Sequence, residues 1–569
     1  MRPPYRTLSP WVHAHDPGYS LAAVERRGDT PACGPANKAV ATSGWGLRCG
    51  FVPDGAGGAA KPLSTEQVDA PAPSRALGRP LRLDIPAYAV TAASVAAILA
   101  LLVVNAALRG PWLDEFWTLH FSDDSDGLRA LMRDGWLRDT HPPVFNAWAT
   151  LLGALGVESI AAGRIVSNLL AAALMGLAAL RFARRQPDQA GFIAVLVLLT
   201  LSLSQAMEAF VTYRSYFWQM AAVAMLVMVA RHVASTRHDL RSRSEVDLAV
   251  IAIVAIAASI GLHYVGGLLG ALLSAAIFLC ALARGLRRWA ALVLVTAAMS
   301  GLFMLATAIV QAPRWAAELD HSWIDTPLLE ALVVPLALIG AAILHNPVAF
   351  VGLWADRRTF LVRDRPFLVV VAGALVAGIA LVLGLHAVMP IVIDRYLFAV
   401  PVLTCALMAA AAAPLAGDRA MFALLAFVSV AATAVNLADS GIKPLWRANA
   451  QLIAGIADGC PTTRVYAASG WALGPAAETL AARREDPVFE RAYRALADEH
   501  GYRVSFIGQN DRARATPGRC PVLLWVEHTP NDAENDLPAA IRDAGLTGLQ
   551  EAQLSVHRSA TGIVVRADR

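Results

Sequence analysis

From about residue 88 onward, long apolar runs alternate with short polar loops. The first run, Tyr88–Leu108, is long enough to span a bilayer. No convincing cleavage site follows it, so it is expected to remain as an anchor. Loop charges predict how the runs are threaded. One set of loops carries Arg181, Arg184 and Arg185, then Arg231, Arg237, Arg241 and Arg243, then Arg284, Arg287 and Arg288, then Arg357, Arg358, Arg363 and Arg365. The intervening loops hold Asp114, Glu115, Asp123, Asp124 and Asp126, then Glu208, then Glu318, Asp320 and Asp325, then Asp394. Positive loops stay in the cytoplasm, so the acidic loops are expected to face outward. Pro143–Val157 is apolar but short, and letting it cross would put Arg181, Arg184 and Arg185 outside. It reads as an interfacial helix along the outer leaflet. The pattern then predicts an all-α polytopic membrane protein of about eleven transmembrane helices over residues 86–438, with the N-terminus inside and the C-terminus outside.

The two ends differ from this middle. Residues 1–85 are rich in Gly, Pro, Ala and polar residues without periodicity. They read as disordered or as an upstream extension from a misplaced start codon, and they lack the apolar core of a signal peptide. Residues 439–569 have the composition of a soluble domain. Short β-type runs (Arg464–Ala468, Tyr502–Ile507, Val522–Val526, Gly562–Val565) alternate with helical stretches such as Pro487–Glu499 and Leu537–Ala544. That alternation predicts a small extracytoplasmic α/β domain. Cys460 and Cys520 each precede one of these runs. They could form a disulfide if the two strands are parallel neighbours, and otherwise stay unpaired.

Composition agrees with the pattern. Of 569 residues, 56% are hydrophobic and 16% charged, against roughly 25% charged in a soluble domain. Mean hydropathy is +0.50. Net charge is +4 and lysine occurs only at Lys38, Lys61 and Lys443. The basic residues are scattered among loops, so no nucleic-acid partner is expected. Cys280 and Cys405 lie in apolar runs and read as small hydrophobes. No metal-ligand spacing appears, and no cofactor is expected, although a divalent ion at Asp114 and Glu115 is conceivable.

Candidate chemistry gathers in the acidic loops. Asp114 and Glu115 stand just beyond the first span, where adjacent carboxylates are costly to desolvate unless something uses them. An accessible carboxylate there can act as a general base on a hydroxyl; the alternative is a pair of solvated loop acids. His141-Pro142-Pro143 follows in the same loop, and its prolines suit a helix start. Trp112, Trp117 and Trp136 could stack on sugar rings or serve as ordinary interfacial anchors.

The ordered set of motifs resembles the GT-C glycosyltransferases, in particular glycosyltransferase family 39, which holds the protein O-mannosyltransferases, and the related aminoarabinose transferases. It comprises the carboxylate pair, HPP opening an amphipathic helix, and Arg164 with Ser167 at the head of the next span. Arg214-Ser-Tyr216, His263-Tyr264, Asp394-Arg395-Tyr396-Leu397 with Pro401, and Lys443-Pro-Leu-Trp446-Arg447 follow in order. The resemblance covers residues 88–470. Bacterial relatives often place an acid close before the Arg-x-Tyr, whereas Glu208 lies six positions ahead of Arg214.

The resemblance implies a polyprenyl-phosphate-linked sugar as donor and a lipid, polysaccharide or protein as acceptor. It also implies a multi-pass location in the bacterial inner membrane with the C-terminal domain periplasmic. Asp114 is the expected catalytic carboxylate, with Glu115 beside it, and the expected course is an inverting displacement. Arg214 and Arg395 are the expected phosphate contacts, and His141, Tyr216, His263 and Tyr396 the other donor-binding residues. A transporter or flippase of lipid-linked glycans is the competing reading; it predicts ionisable groups in mid-span and paired repeats.

Overall fold

The computed structural model describes residues 85–123, 127–237, 239–240, 245–318, 326–355, 357–469, 480–508, 511–527, 537–549 and 552–569. The readings on residues 1–84, and those on Asp124, Asp126, Arg241, Arg243, Asp320 and Asp325, lie outside the described residues. Helix α1 (Ile85–Leu108) comes first, followed by a long loop holding α2 (Leu113–Phe121), α3 (Leu128–Ala130) and α4 (Val144–Ala154). Then come α5 (Ile160–Arg185), α6 (Ala190–Ser202), α7 (Ser204–Phe210), α8 (Tyr216–Ser235), α9 (Val246–Gly261) and α10 (Tyr264–Ala283). The bundle is completed by α11 (Arg287–Glu318), α12 (Leu328–Leu344), α13 (Pro347–Ala355), α14 (Arg357–Arg363), α15 (Arg365–His386), α16 (Ala399–Ala412) and α17 (Arg419–Ser440).

Among the described residues, eight helices are long and apolar enough to cross a membrane: α1, α5, α8, α10, α11, α15, α16 and α17. Helices α6 and α7 together are also apolar and long enough, but bent by 66° at Leu203, the geometry of a broken span or a re-entrant loop. Helices α9 and α12, of 16 and 17 residues, are apolar but shorter, so the eleven spans expected from loop charge compare with eight, or nine with the bent pair, among the described residues. Helix α4 has 11 residues, about 17 Å at 1.5 Å per residue against a hydrocarbon core of about 30 Å, so it cannot cross. Apolar residues on every side mark the central helices. All of α6 and all of α16 except Leu407 are buried, whereas α11 turns Met299 and Leu302 outward toward lipid.

The C-terminal domain follows α17. Its elements in chain order are α18 (Trp446–Gly459), β1 (Arg464–Ser469), α19 (Leu480–Glu499), β2 (Val504–Ile507), β3 (Ala513–Arg514), β4 (Val522–Glu527), α20 (Leu537–Asp543), β5 (Leu546–Thr547), β6 (Gln553–Arg558) and β7 (Gly562–Asp568). Five strands form one sheet in the order β2-β1-β4-β7-β6. Strand β1 runs parallel to both β2 and β4, and β7 runs antiparallel to β4 and β6. Because β1 and β4 are parallel neighbours, the cysteines that precede them lie at one end, and Cys460 is joined to Cys520. Helix α19 starts seven residues before the expected Pro487 and lays Phe489, Tyr493 and Leu496 on the sheet around Trp525.

Buried in this domain is Glu527, at the end of β4. Its Oε1 accepts bonds from Asn449 Nδ2 at 2.8 Å and Trp525 Nε1 at 2.7 Å. Burial pushes the carboxyl pKa up to about 7, with those two bonds opposing. An acid raised in the folded state contributes stability that is intact below its unfolded pKa and is lost as pH rises through about 7. Thermal unfolding of the purified protein should show the domain weaker at pH 8 than at pH 5 by about 3 kcal/mol. Glu527→Gln should flatten that dependence; an unchanged dependence in the variant would assign it elsewhere.

Candidate active site

The loop after α1 meets the ends of several spans at one face of the bundle. Gly110 sets its course: its amide donates to Lys443 O at 3.0 Å, and a Cβ there would stand 1.7 Å from Pro444 O. Only glycine permits this approach, which ties the start of the loop to the start of the C-terminal domain. Helix α2 begins three residues later.

Successive residues of a helix point about 100° apart, and this separates the two adjacent acids. The expectation of a paired catalytic site at Asp114 and Glu115 is corrected accordingly. Glu115 turns inward and is 1% exposed. Arg164 Nε donates to its Oε1 at 2.6 Å, Arg164 Nη2 bonds its Oε2, and the Tyr213 amide donates to Oε1 at 2.8 Å. The Trp112 amide donates to Oε2 at 3.1 Å, so Glu115 reaches back to the residue that caps its own helix. The remaining Arg164 donors reach the carbonyls of Ala106, Arg109 and Gly110. Glu115 thus holds the loop in place, and its oxygens are occupied.

Asp114 faces the other way. Its Oδ2 lies 2.8 Å from Arg395 Nη1, with both side chains partly exposed. Burial pushes the Asp114 pKa up, but the Arg395 and Arg214 guanidiniums outweigh it and hold the carboxyl below its usual range. Arg395 belongs to the turn Asp394–Leu397 that opens α16, and its Cζ lies 6.0 Å from the Trp112 ring. Arg214 precedes α8 and is 5% exposed.

The other expected residues meet in the same place. His263 caps α10, its Nδ1 accepting from the Gly266 amide at 3.2 Å, and its Nε2 is buried with no partner among the described residues. Its ring centroid is 4.7 Å from Tyr396, 5.3 Å from His141 and 5.8 Å from Tyr216. Gln311 of α11 donates to His141 O at 3.1 Å, fixing the HPP turn against the bundle. Ser167 accepts from the indoles of Trp148 and Trp218, which anchors α4 to α5 and α8.

Two charged residues escaped the sequence reading. Asp139 is 3% exposed, and its Oδ2 accepts from Arg214 Nη1 at 3.0 Å and Asn146 Nδ2 at 2.9 Å. His141 Nδ1 lies 3.1 Å from its Oδ1. Burial pushes its pKa up, but Arg214 and His141 outweigh it and leave the carboxyl well below its usual range. The signal available was an acid two positions before the histidine of HPP. Arg109 is the second: it takes Glu208 in a two-pronged pair at 2.9 and 3.1 Å, which accounts for an acid so far ahead of Arg214. Among the described residues no three His, Cys, Asp or Glu side chains gather as a metal-binding group.

No protein-family model and no curated protein matches the chain. Among solved structures it is similar to ArnT from Cupriavidus metallidurans in the apo state. The match has 13% identity and a TM-score of 0.50, over 84% of this chain and 98% of that one. The same protein bound to undecaprenyl phosphate aligns at 14% identity and a TM-score of 0.48, over 84% and 97%. At this identity the apo match establishes the fold alone: the chain is a multi-pass helical membrane protein with an ArnT-like fold and a small C-terminal α/β domain.

Proposed function

We propose that the chain is a membrane glycosyltransferase that moves a sugar from a polyprenyl-phosphate donor to a lipid, glycan or protein acceptor, on the extracytoplasmic side of the bacterial inner membrane. The observation that carries this reading is the Asp114–Arg395 pair beside Arg214 and His141, at the end of a bundle of apolar spans. A carboxylate supplies a base, and two guanidiniums supply a seat for a phosphate whose prenyl tail remains among the spans.

In the resting site Asp114 is tied to Arg395. An incoming donor phosphate competes for that guanidinium. Once Arg395 has turned to the phosphate, Asp114 loses its nearest cation and becomes a stronger base. It then takes the proton of an acceptor hydroxyl as that oxygen attacks the anomeric carbon, and the phosphate departs from the opposite face with inversion. His263 Nε2, buried and without a partner among the described residues, is available to bond the sugar or phosphate. The acceptor remains a class: any hydroxyl that reaches Asp114 satisfies the chemistry.

The test is reconstitution in liposomes with a panel of radiolabelled polyprenyl-phosphate sugars, following loss of label from the donor to acceptors or water. Consumption of one donor is the expected result. Folded protein that consumes none of them, even with native membrane acceptors, would overturn the reading; flipping of the same lipids would then favour transport.

A further inference from the structure

Asp139 is a buried carboxylate to which the proposed chemistry assigns no task. A simple counter-ion for Arg214 needs one good contact, yet this carboxylate spans two elements. Its Oδ2 takes Arg214, from the break between α7 and α8, and its Oδ1 takes His141, from the HPP turn. The His141 amide also donates to Oδ1 at 3.3 Å, and Asn146 of α4 donates to Oδ2. An imidazole bonded to a carboxylate through Nδ1 presents Nε2 on its far side, with its tautomer and ring orientation fixed. Around the His141 ring stand His263 at the head of α10, Tyr216 of α8 and Tyr396 of the turn before α16. The charged groups that face this cluster are Arg214, Arg395 and Asp114.

We propose that Asp139 is a positioning residue that holds His141 as an imidazolium, so that its Nε2–H gives a proton to the departing polyprenyl phosphate. This rests on the transferase reading. The donor is a phosphodiester with one negative charge. As the anomeric C–O bond breaks, its electron pair passes to the phosphate oxygen, which takes the Nε2 proton and leaves as a singly charged monoester. The acceptor oxygen forms the new bond to the anomeric carbon, and its proton goes to Asp114. Asp114 then releases a proton to water and His141 recovers one from water, so protons and charge balance over a turnover.

The experiment measures kcat and KM for a consumed polyprenyl-phosphate sugar across pH 5.5–9 in wild type, Asp139→Asn, His141→Gln and the double variant. The alkaline fall of kcat should begin at lower pH in Asp139→Asn, because the imidazolium has lost its carboxylate. At pH 8 kcat should drop about 10- to 100-fold, within the range of general-acid contributions, with KM changed far less. His141→Gln keeps a hydrogen-bonding side chain without a transferable proton and should abolish that limb of the profile. The double variant should be no slower than His141→Gln alone. An Asp139→Asn enzyme slowed equally at every pH, or altered in KM alone, would reduce Asp139 to a counter-ion and overturn the proposal with the transferase reading intact. A folded wild type that consumes no donor overturns both.

Discussion

Asp114→Asn is expected to lower sugar transfer by about two to four orders of magnitude, the range of a positioned general base, while the protein still folds and inserts. The reason lies in what surrounds it. Asp114 is partly exposed, and its partner Arg395 keeps contact with the Trp112 and Tyr396 rings after the carboxylate is neutralised. The substitution also removes the group that competes with phosphate for Arg395. Binding of unlabelled polyprenyl phosphate, measured by titration in detergent, should therefore be no weaker than in wild type. Lost turnover with retained phosphate affinity is the signature of a missing base. A variant that transfers sugar at a tenth of the wild-type rate or faster would remove Asp114 from that role.

One residue further, the expectation reverses. Glu115→Ala should yield little folded protein. It leaves Arg164, 1% exposed, as a buried guanidinium without its carboxylate, a loss that costs about 3–5 kcal/mol where buried pairs are broken from one side. It also strips the acceptor from the Tyr213 and Trp112 amides. Size-exclusion profiles and melting temperature in detergent read this directly. Should Glu115→Ala fold and melt like wild type yet fail to transfer sugar, Glu115 would belong to the chemistry instead.

The contrast between these neighbours marks how far the sequence could be read. The long apolar helices were legible because lipid imposes a length and loop charge imposes an alternation. The candidate residues stood out as an ordered series of motifs, and the structure brings Asp114, His141, Arg214, Tyr216, His263, Arg395 and Tyr396 together. The direction of each side chain was not legible. Adjacency in sequence suggested that Asp114 and Glu115 act together, whereas a helical turn sends them to different partners. Asp139 was hidden among other loop acids, since only the approach of α8 brings Arg214 onto it. In the C-terminal domain, β1, β2, β4 and β7 were visible as apolar runs. Strand β6 was missed because Gln553–Arg558 is a largely exposed edge with no apolar run to betray it.

Helix α2 has one further consequence. Asp114 leaves one side of it toward the membrane site, while Leu113 and Phe116 enter the core of the C-terminal domain, where Phe116 lies 5.5 Å from the Trp446 ring. At its far end, Arg491 of α19 reaches Leu119 O and Asp123. In chain order the C-terminal domain follows α17, but in space its core includes Leu113 and Phe116 of α2. The two therefore form one packed unit. Recombination that exchanges residues 439–569 between relatives, whether in nature or in a chimera, must carry the first loop with it, or it separates the proposed base from the surface that holds it.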